Sequence, residues 1–213
     1  MAAVITHEER LVDAAGAGDL NEINRLIAAG VDIHANGDEA LHHAAASGKI
    51  ATVELLLLLG ADIHNEGCGA LEISAETGDA AMVRYLLDHG ADVNENDGYP
   101  LRTATQYAHA EVVAVLLARG ADPHVKKNYA LKCAVGATLG GHEEVAAELL
   151  RRGVYPDRLL TDLRAAALAN GKEKIVAMIT SIKQAAKLTR ESATQSLPQD
   201  PKTNQSRPIP CRL

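Results

Sequence analysis

The sequence predicts an all-α solenoid of about six stacked helix pairs and a disordered C-terminal tail. Three observations carry this. First, Gly60-Ala61-Asp62-Ile63-His64, Gly90-Ala91-Asp92-Val93-Asn94 and Gly120-Ala121-Asp122-Pro123-His124 recur at steps of 30 residues, and a degenerate copy, Gly30-Val31-Asp32-Ile33-His34, precedes them by the same step. A fixed period of this size marks an array whose units bury their apolar faces only on one another. Second, apolar residues return at i, i+3 and i+4, as Ile23/Leu26/Ile27, Val53/Leu56/Leu57, Val83/Leu86/Leu87 and Val113/Leu116/Leu117, the stripe of a half-buried helix. Third, Phe and Trp are absent, and the apolar content is mainly Ala, Leu, Val and Ile, which suits thin layers of close helices better than one large core.

Taken in order, residues 7–29 form an N-terminal capping pair. Units follow at 30–59, 60–89, 90–119 and 120–152, and a C-terminal capping pair at 153–182 completes an array assigned to 1–187. In the unit 30–59, residues 38–46 are a short Ala-rich helix, Ser47-Gly48-Lys49 a turn, and 50–59 the second helix, which Gly60 ends as a left-handed residue. Small residues at Ala44/Ala45, Ser74/Ala75 and Ala104/Thr105 let the short helices approach closely. Asp38, Gly98 and Asn128 stand where those helices need N-caps, whereas Cys68 is a poor cap and its unit is expected to fray. The unit from Gly120 carries three additional residues within 134–141, which predicts a bulge or a longer inter-helix loop there. The last pair presents Arg158, Asp162, Arg164, Lys172 and Lys174, the polar outer face that a terminal unit needs. From 188 onward the pattern stops in favour of Ser, Thr, Gln, Pro, Lys and Arg, and 188–213 is expected to be disordered.

The linked positions in Ala40-Leu41-His42-His43-Ala44-Ala45-Ala46-Ser47-Gly48-Lys49, continuing to Gly60-Ala61-Asp62-Ile63-His64, resemble an ankyrin repeat. The resemblance covers about residues 7–182. The family's unit is about 33 residues long; the shorter step here places the deficit in the hairpin finger and resembles the arrays of large DNA viruses and some microbes. The Thr-Pro-Leu-His signature is eroded to Glu39-Ala40-Leu41-His42, Gly69-Ala70-Leu71-Glu72, Tyr99-Pro100-Leu101-Arg102 and Tyr129-Ala130-Leu131-Lys132. Ankyrin-like stacks bind partners through finger tips and short inner helices. On this chain those positions are Asp38, Glu39, His42, His43 and Ser47, then Glu66, Glu72 and Glu76. Asn96, Tyr99, Arg102, Gln106 and Tyr107 follow, and Lys126, Lys127, Tyr129, Lys132 and Leu139 complete the strip.

Charge is divided along the array. Residues 1–182 hold 15 Lys/Arg against 26 Asp/Glu, a net −11, while 183–213 are net +4. By unit the charge runs −3, −3, −5, −2, +1 and +1. An acidic body repels a phosphate backbone, so a nucleic-acid partner is not expected, and a basic protein surface is. The apolar run 55–59 is far shorter than the ~20 residues of a membrane span.

No site chemistry competes with this reading. His34, His64 and His124 occupy one repeat position, and packed helices about 8–10 Å apart cannot bring equivalent nitrogens to one metal; hydrogen bonding within the fingers is their expected role. The Gly-rich stretch 136–141 has neither the preceding strand nor the Gly-Lys-Ser/Thr ending of a phosphate loop. Glu143-Glu144 suits a helix N-terminus better than a catalytic pair. Cys68, Cys133 and Cys211 cannot all pair and match no metal knuckle, so free thiols in a reducing compartment are expected. The first ten residues show no leader pattern, and Ala2 rules out N-myristoylation. Asn94 resembles sites modified by an asparaginyl hydroxylase in ankyrin proteins, with a structural amide as the plainer role.

The function expected is a monomeric, non-enzymatic protein-interaction scaffold without cofactor, catalytic residue or metal. Alternatives are an adaptor or host-directed effector whose tail recruits a second factor, and a small enzyme on a repeat scaffold. Cytoplasmic residence is expected, with Cys211-Arg212-Leu213, similar to the Ser-Lys-Leu address, pointing to the peroxisome as the alternative.

Overall fold

The computed structural model describes residues 6–64, 69–136 and 142–195. Glu66, Cys68, Leu139 and the tail from 196, with Cys211, lie outside the described residues. Within them run twelve helices: α1 (His7–Ala17), α2 (Leu20–Ala28), α3 (Glu39–Ala46), α4 (Ile50–Leu58), α5 (Ala70–Thr77), α6 (Ala80–Asp88), α7 (Glu95–Gln106), α8 (Ala110–Ala118), α9 (Val125–Gly136), α10 (His142–Arg152), α11 (Asp157–Ala169) and α12 (Glu173–Gln195). They form six antiparallel pairs, and the first helices stack in one row, α1 on α3, α3 on α5, α5 on α7, α7 on α9 and α9 on α11. The second helices stack behind them, with α6 on α8, α8 on α10 and α10 on α12. None of the described helices is long and apolar enough to cross a membrane.

Each residue of the recurring Gly-Ala-Asp has its own task. Glycines 30, 60, 90 and 120 are left-handed, at φ of 88°, 107°, 100° and 93°, and stop the second helices. The following residue then turns its N–H back to the helix: Val31 to the Leu26 carbonyl, Ala61 to Leu56, Ala91 to Leu86 and Ala121 to Leu116, at 2.9–3.1 Å. This closes an otherwise unsatisfied carbonyl at each helix end. The aspartate carboxylates at 32, 62, 92 and 122 accept the N–H two residues on, from His34, His64, Asn94 and His124, at 2.8–3.0 Å. These Asx turns launch each finger.

The trimmed finger is a left-handed turn. Asn36, Gly37 and Asp38 all have positive φ, as do Asn96-Asp97-Gly98 and Lys126-Lys127-Asn128. The N-capping expected of Asp38, Gly98 and Asn128 is therefore not what they do: a cap needs extended backbone, and these three sit at φ of 55°, 69° and 63°. Asp38 instead buries its carboxylate, which accepts the Asp62 N–H at 3.1 Å and lies 3.0 Å from His34 Nδ1. Asn128 Oδ1 stands 2.7 Å from His124 Nδ1. Such side-chain bonds offset a left-handed backbone that costs non-glycine residues about 1–2 kcal/mol each.

A second column ties unit to unit. Asp19, Lys49, Asp79, His109, His142 and Lys172 occupy one register at the start of the second helices. Asp19 and Asp79 cap their own helices through the N–H of Glu22 and of Ala81 and Met82. The later members reach back instead. His109 Nε2 bonds the Glu76 carbonyl at 2.8 Å, His142 Nε2 the Gln106 carbonyl at 3.1 Å, and Lys172 Nζ the Ala134 carbonyl at 3.1 Å. Each acceptor lies in the last turn of the preceding unit's first helix, where cations and N–H donors are favoured. Lys172 is only 7% exposed, so it is a buried strut and not part of the polar outer face expected of the last pair.

The C-terminal boundary also differs from expectation. α12 continues as one helix to Gln195, so residues 188–195, expected to be disordered, are helical. Helix-forming Lys, Glu, Gln and Ala dominate 183–195, and Lys187 and Glu191 pair at i, i+4. The residues that end the apolar stripe do not end the helix.

Candidate functional site

The candidate interface is the wall made by the first helices and the turns that precede them. Its side chains come from corresponding positions, so the partner-contacting candidates within the described residues lie on α3, α5, α7 or α9, with Asp38, Ser47 and Tyr107 at the residue next to a helix end.

At the α3 end, Glu39 accepts from Asn36 Nδ2 at 3.0 Å, and its carboxylate is 3.9 Å from His43 Nε2. His42 is half-buried, and burial lowers its pKa; the carboxylates of Asp38, Glu39 and Glu72 oppose that shift. On α5, Glu72 accepts from Asn96 Nδ2 at 2.6 Å and Glu76 from the Tyr107 hydroxyl at 3.1 Å. That second bond raises the Tyr107 pKa, because the carboxylate holds the phenolic proton. Tyr107 also stacks on His109, with ring centroids 6.2 Å apart.

At the α7–α9 step the chemistry changes sign. The Arg102 guanidinium carbon stands over two rings, 5.2 Å from the Tyr99 centroid and 5.7 Å from that of Tyr129. Lys126, on its left-handed turn, pairs with Asp97, which holds the Asp97 carboxyl below its ordinary pKa. Lys127, Lys132 and Gln106 are exposed, and the Gln106 backbone carbonyl is the acceptor of His142. Tyr99, Tyr107 and Tyr129 are 40%, 50% and 41% exposed. Thus Glu72 meets Asn96, Glu76 meets Tyr107 and Arg102 meets Tyr129 across units, Glu39–His43 and Arg102–Tyr99 meet within one, and the side chains of Lys127, Lys132 and Gln106 stand apart.

Glu95 was not legible as a site residue. Its carboxyl is half-buried, its Oε1 is buried without a hydrogen-bond partner, and burial, with Glu72 and Asp92 nearby, pushes its pKa up to about 7. No periodic position marks it; it lies at the start of a finger, where exposure is the default. The sign follows from linkage. A carboxyl that holds its proton more tightly in the folded state than at its ordinary 4.5 destabilises the fold progressively as pH rises from about 4.5 through about 7. Glu95→Gln should remove that slope and be more stable at pH 8 by about 1–2 kcal/mol, allowing for solvent screening of a half-exposed group. Urea unfolding of both proteins at pH 5 and pH 8 measures it, and equal slopes would count against a perturbed Glu95.

Asn94 has a structural role. Its Oδ1 accepts the Asp122 N–H at 2.9 Å and its Nδ2 donates to the Gly120 carbonyl at 3.3 Å, joining one finger to the next. Cys133 is partly buried and carries a free thiol.

The family model for ankyrin repeats matches residues 11–97 and 58–127, in three copies. No curated protein matches the chain at a significant level. Ankyrin repeats generally mediate protein–protein interaction, and the family is typically a non-enzymatic scaffold. The matched span, 11–127, is more than half of the chain and coincides with the stacked pairs and left-handed helix ends described above: the chain belongs to the ankyrin repeat family.

Proposed function

We propose that this chain is a non-enzymatic scaffold that docks a protein partner along the first-helix wall, with a basic patch of the partner against Glu72, Glu76 and Glu66. Tyr99, Tyr107 and Tyr129 serve as its central anchors. The observation that carries the reading is the row of three half-exposed tyrosines, on α7, just past its C-terminal end and on α9, in a chain that has no Phe or Trp. Tyrosine supplies a large, rigid contact area with few rotamers to freeze. The charge of the units at 1–29, 30–59 and 60–89 (−3, −3 and −5) supports the basic character of the partner.

The test uses the full chain as bait in its native host and the recovered partner in calorimetry. Tyr107→Ala should weaken binding by about 1–3 kcal/mol while leaving the circular dichroism spectrum unchanged, because the ring is exposed. A Tyr107→Ala variant that binds with unaltered affinity would remove Tyr107 from the interface.

A further inference from the structure

The wall is bipolar, and its second pole has a built receptor. Arg102 is the only arginine on α7 or α9, and its guanidinium is shared by the Tyr99 and Tyr129 rings, one from its own unit and one from the next. Cation–π contact of this kind fixes the orientation of the guanidinium plane without consuming its N–H donors. Among the described residues the Arg102 side chain has no hydrogen bond and no carboxylate partner, and the hydroxyls of Tyr99 and Tyr129 are likewise unbonded. Lys127 and Lys132 lie on α9, the helix packed on α7, exposed and without an ion pair among the described residues. Every other arginine on the earlier helices, Arg10, Arg25 and Arg84, is engaged by a glutamate. Arg102 is thus held in place by aromatic rings, and the nearby Asp97 carboxylate, which feels its charge, is engaged by Lys126 and leaves the guanidinium N–H donors unbonded.

We propose that Arg102, held by Tyr99 and Tyr129, with Lys127 and Lys132 exposed on the adjoining helix α9, is the receptor for an acidic segment of a protein partner, with a partner carboxylate taken in a two-pronged contact by the guanidinium. The complementarity is confined to this step: Arg102 belongs to a unit of net −2, and the positive charge is added by Lys127 and Lys132 of the adjoining unit 120–152, which is net +1. A carboxylate matches the fork geometry of arginine through two parallel N–H···O bonds, and the tyrosine hydroxyls add donors beside it. The partner is thereby oriented, its acidic segment on α7–α9 and its basic patch on α5. The inference rests on the scaffold reading for the surface but not on the basic patch.

The experiment titrates the uniformly ¹⁵N-labelled full chain with glycine-flanked hexaglutamate, hexaglutamine and hexalysine peptides, following the side-chain Nε–H signal of Arg102. Hexaglutamate should shift that signal saturably and hexaglutamine should not. Arg102→Gln should weaken hexaglutamate binding roughly tenfold, and Arg102→Lys, which keeps the charge but loses the fork, should stay weakened. The exposed pair Lys127→Gln/Lys132→Gln, which touches no core contact, should weaken it about two- to fivefold. Arg158→Gln, on α11, is the control and should change nothing. Hexaglutamate binding that survives Arg102→Gln, or that never moves the Arg102 signal, overturns the proposal. A phosphoserine hexapeptide that displaces hexaglutamate through the same Arg102-dependent signal overturns the carboxylate assignment. Hexalysine reads the other pole: its failure to bind near Glu72 and Glu76 would remove the basic-patch reading and leave the Arg102 receptor standing.

Discussion

Leu86→Ala should destabilise the chain by about 2–5 kcal/mol, the largest effect expected of a single side-chain truncation here. Leu86 is fully buried in α6, a helix that packs on α5 and α8. Truncation leaves a void between three helices in the middle of the array, where no end can collapse to fill it. The backbone closure is spared, since the Leu86 carbonyl still receives the Ala91 N–H at 3.1 Å, so the measured loss reports packing. Urea unfolding checks it, with Leu58→Ala as the matched control. Leu58 is the same residue type, 79% exposed on α4, and its truncation should stay within about 0.5 kcal/mol. In an array held together only by neighbours, a weak middle unit also uncouples its two sides, so the Leu86→Ala transition should broaden. A sharp transition with wild-type midpoint would refute the assignment of Leu86 to the seam.

Gly78→Ala should cost about 2–4 kcal/mol, by two routes that add. Gly78 is left-handed at φ 81°, where a Cβ carries a penalty of about 1–2 kcal/mol. The added methyl would also stand 2.6 Å from the His109 ring, which must shift and thereby strain or lose its bond to the Glu76 carbonyl. One substitution therefore attacks both a turn and an inter-unit strut. The reciprocal change tests the backbone part alone: Ala108 occupies the same register at φ 62°, and Ala108→Gly should stabilise the fold by about 0.5–1 kcal/mol. Thermal or urea melts of both variants suffice. Equal and unchanged stability in both would mean that this position is not held left-handed.

What the sequence made legible follows from what repeats. The Leu/Val stripes and the Gly-Ala-Asp spacing are functions of local period, and period survives in a single chain; hence six helix pairs and their row-by-row stacking could be read from them. The column at 19, 49, 79, 109, 142 and 172 was legible in principle, since a polar residue precedes or opens each second helix, but its members differ in chemistry and direction of bonding. The left-handed fingers were only half legible. Asn36-Gly37-Asp38 and Asn96-Asp97-Gly98 carry turn residues, whereas Lys126-Lys127 give no such hint, and there Lys126 is tied to Asp97. Burial of Glu95 and Lys172 was not legible at all, because it depends on what the preceding unit sets against them, Gly69 and Glu72 for Glu95 and the Ala134 carbonyl for Lys172. In the candidate site, residue choice came from register, whereas the pairings Glu72–Asn96, Glu76–Tyr107 and Arg102–Tyr129 arise only from the stacking.

Stacked first helices set a ruler. Packed helices stand about 8–10 Å apart, and a polyproline-II strand advances ~3.1 Å per residue with three residues per turn, a pitch of about 9 Å. Tyr99 and Tyr129, one unit apart, therefore mark consecutive graduations that such a strand would meet with every third side chain. A ligand of that period could slide by a whole graduation at little cost if the units were alike. Here they differ, from carboxylates on α5 to the arginine on α7 and the lysines on α9, and that gradation would hold such a strand to a single phase.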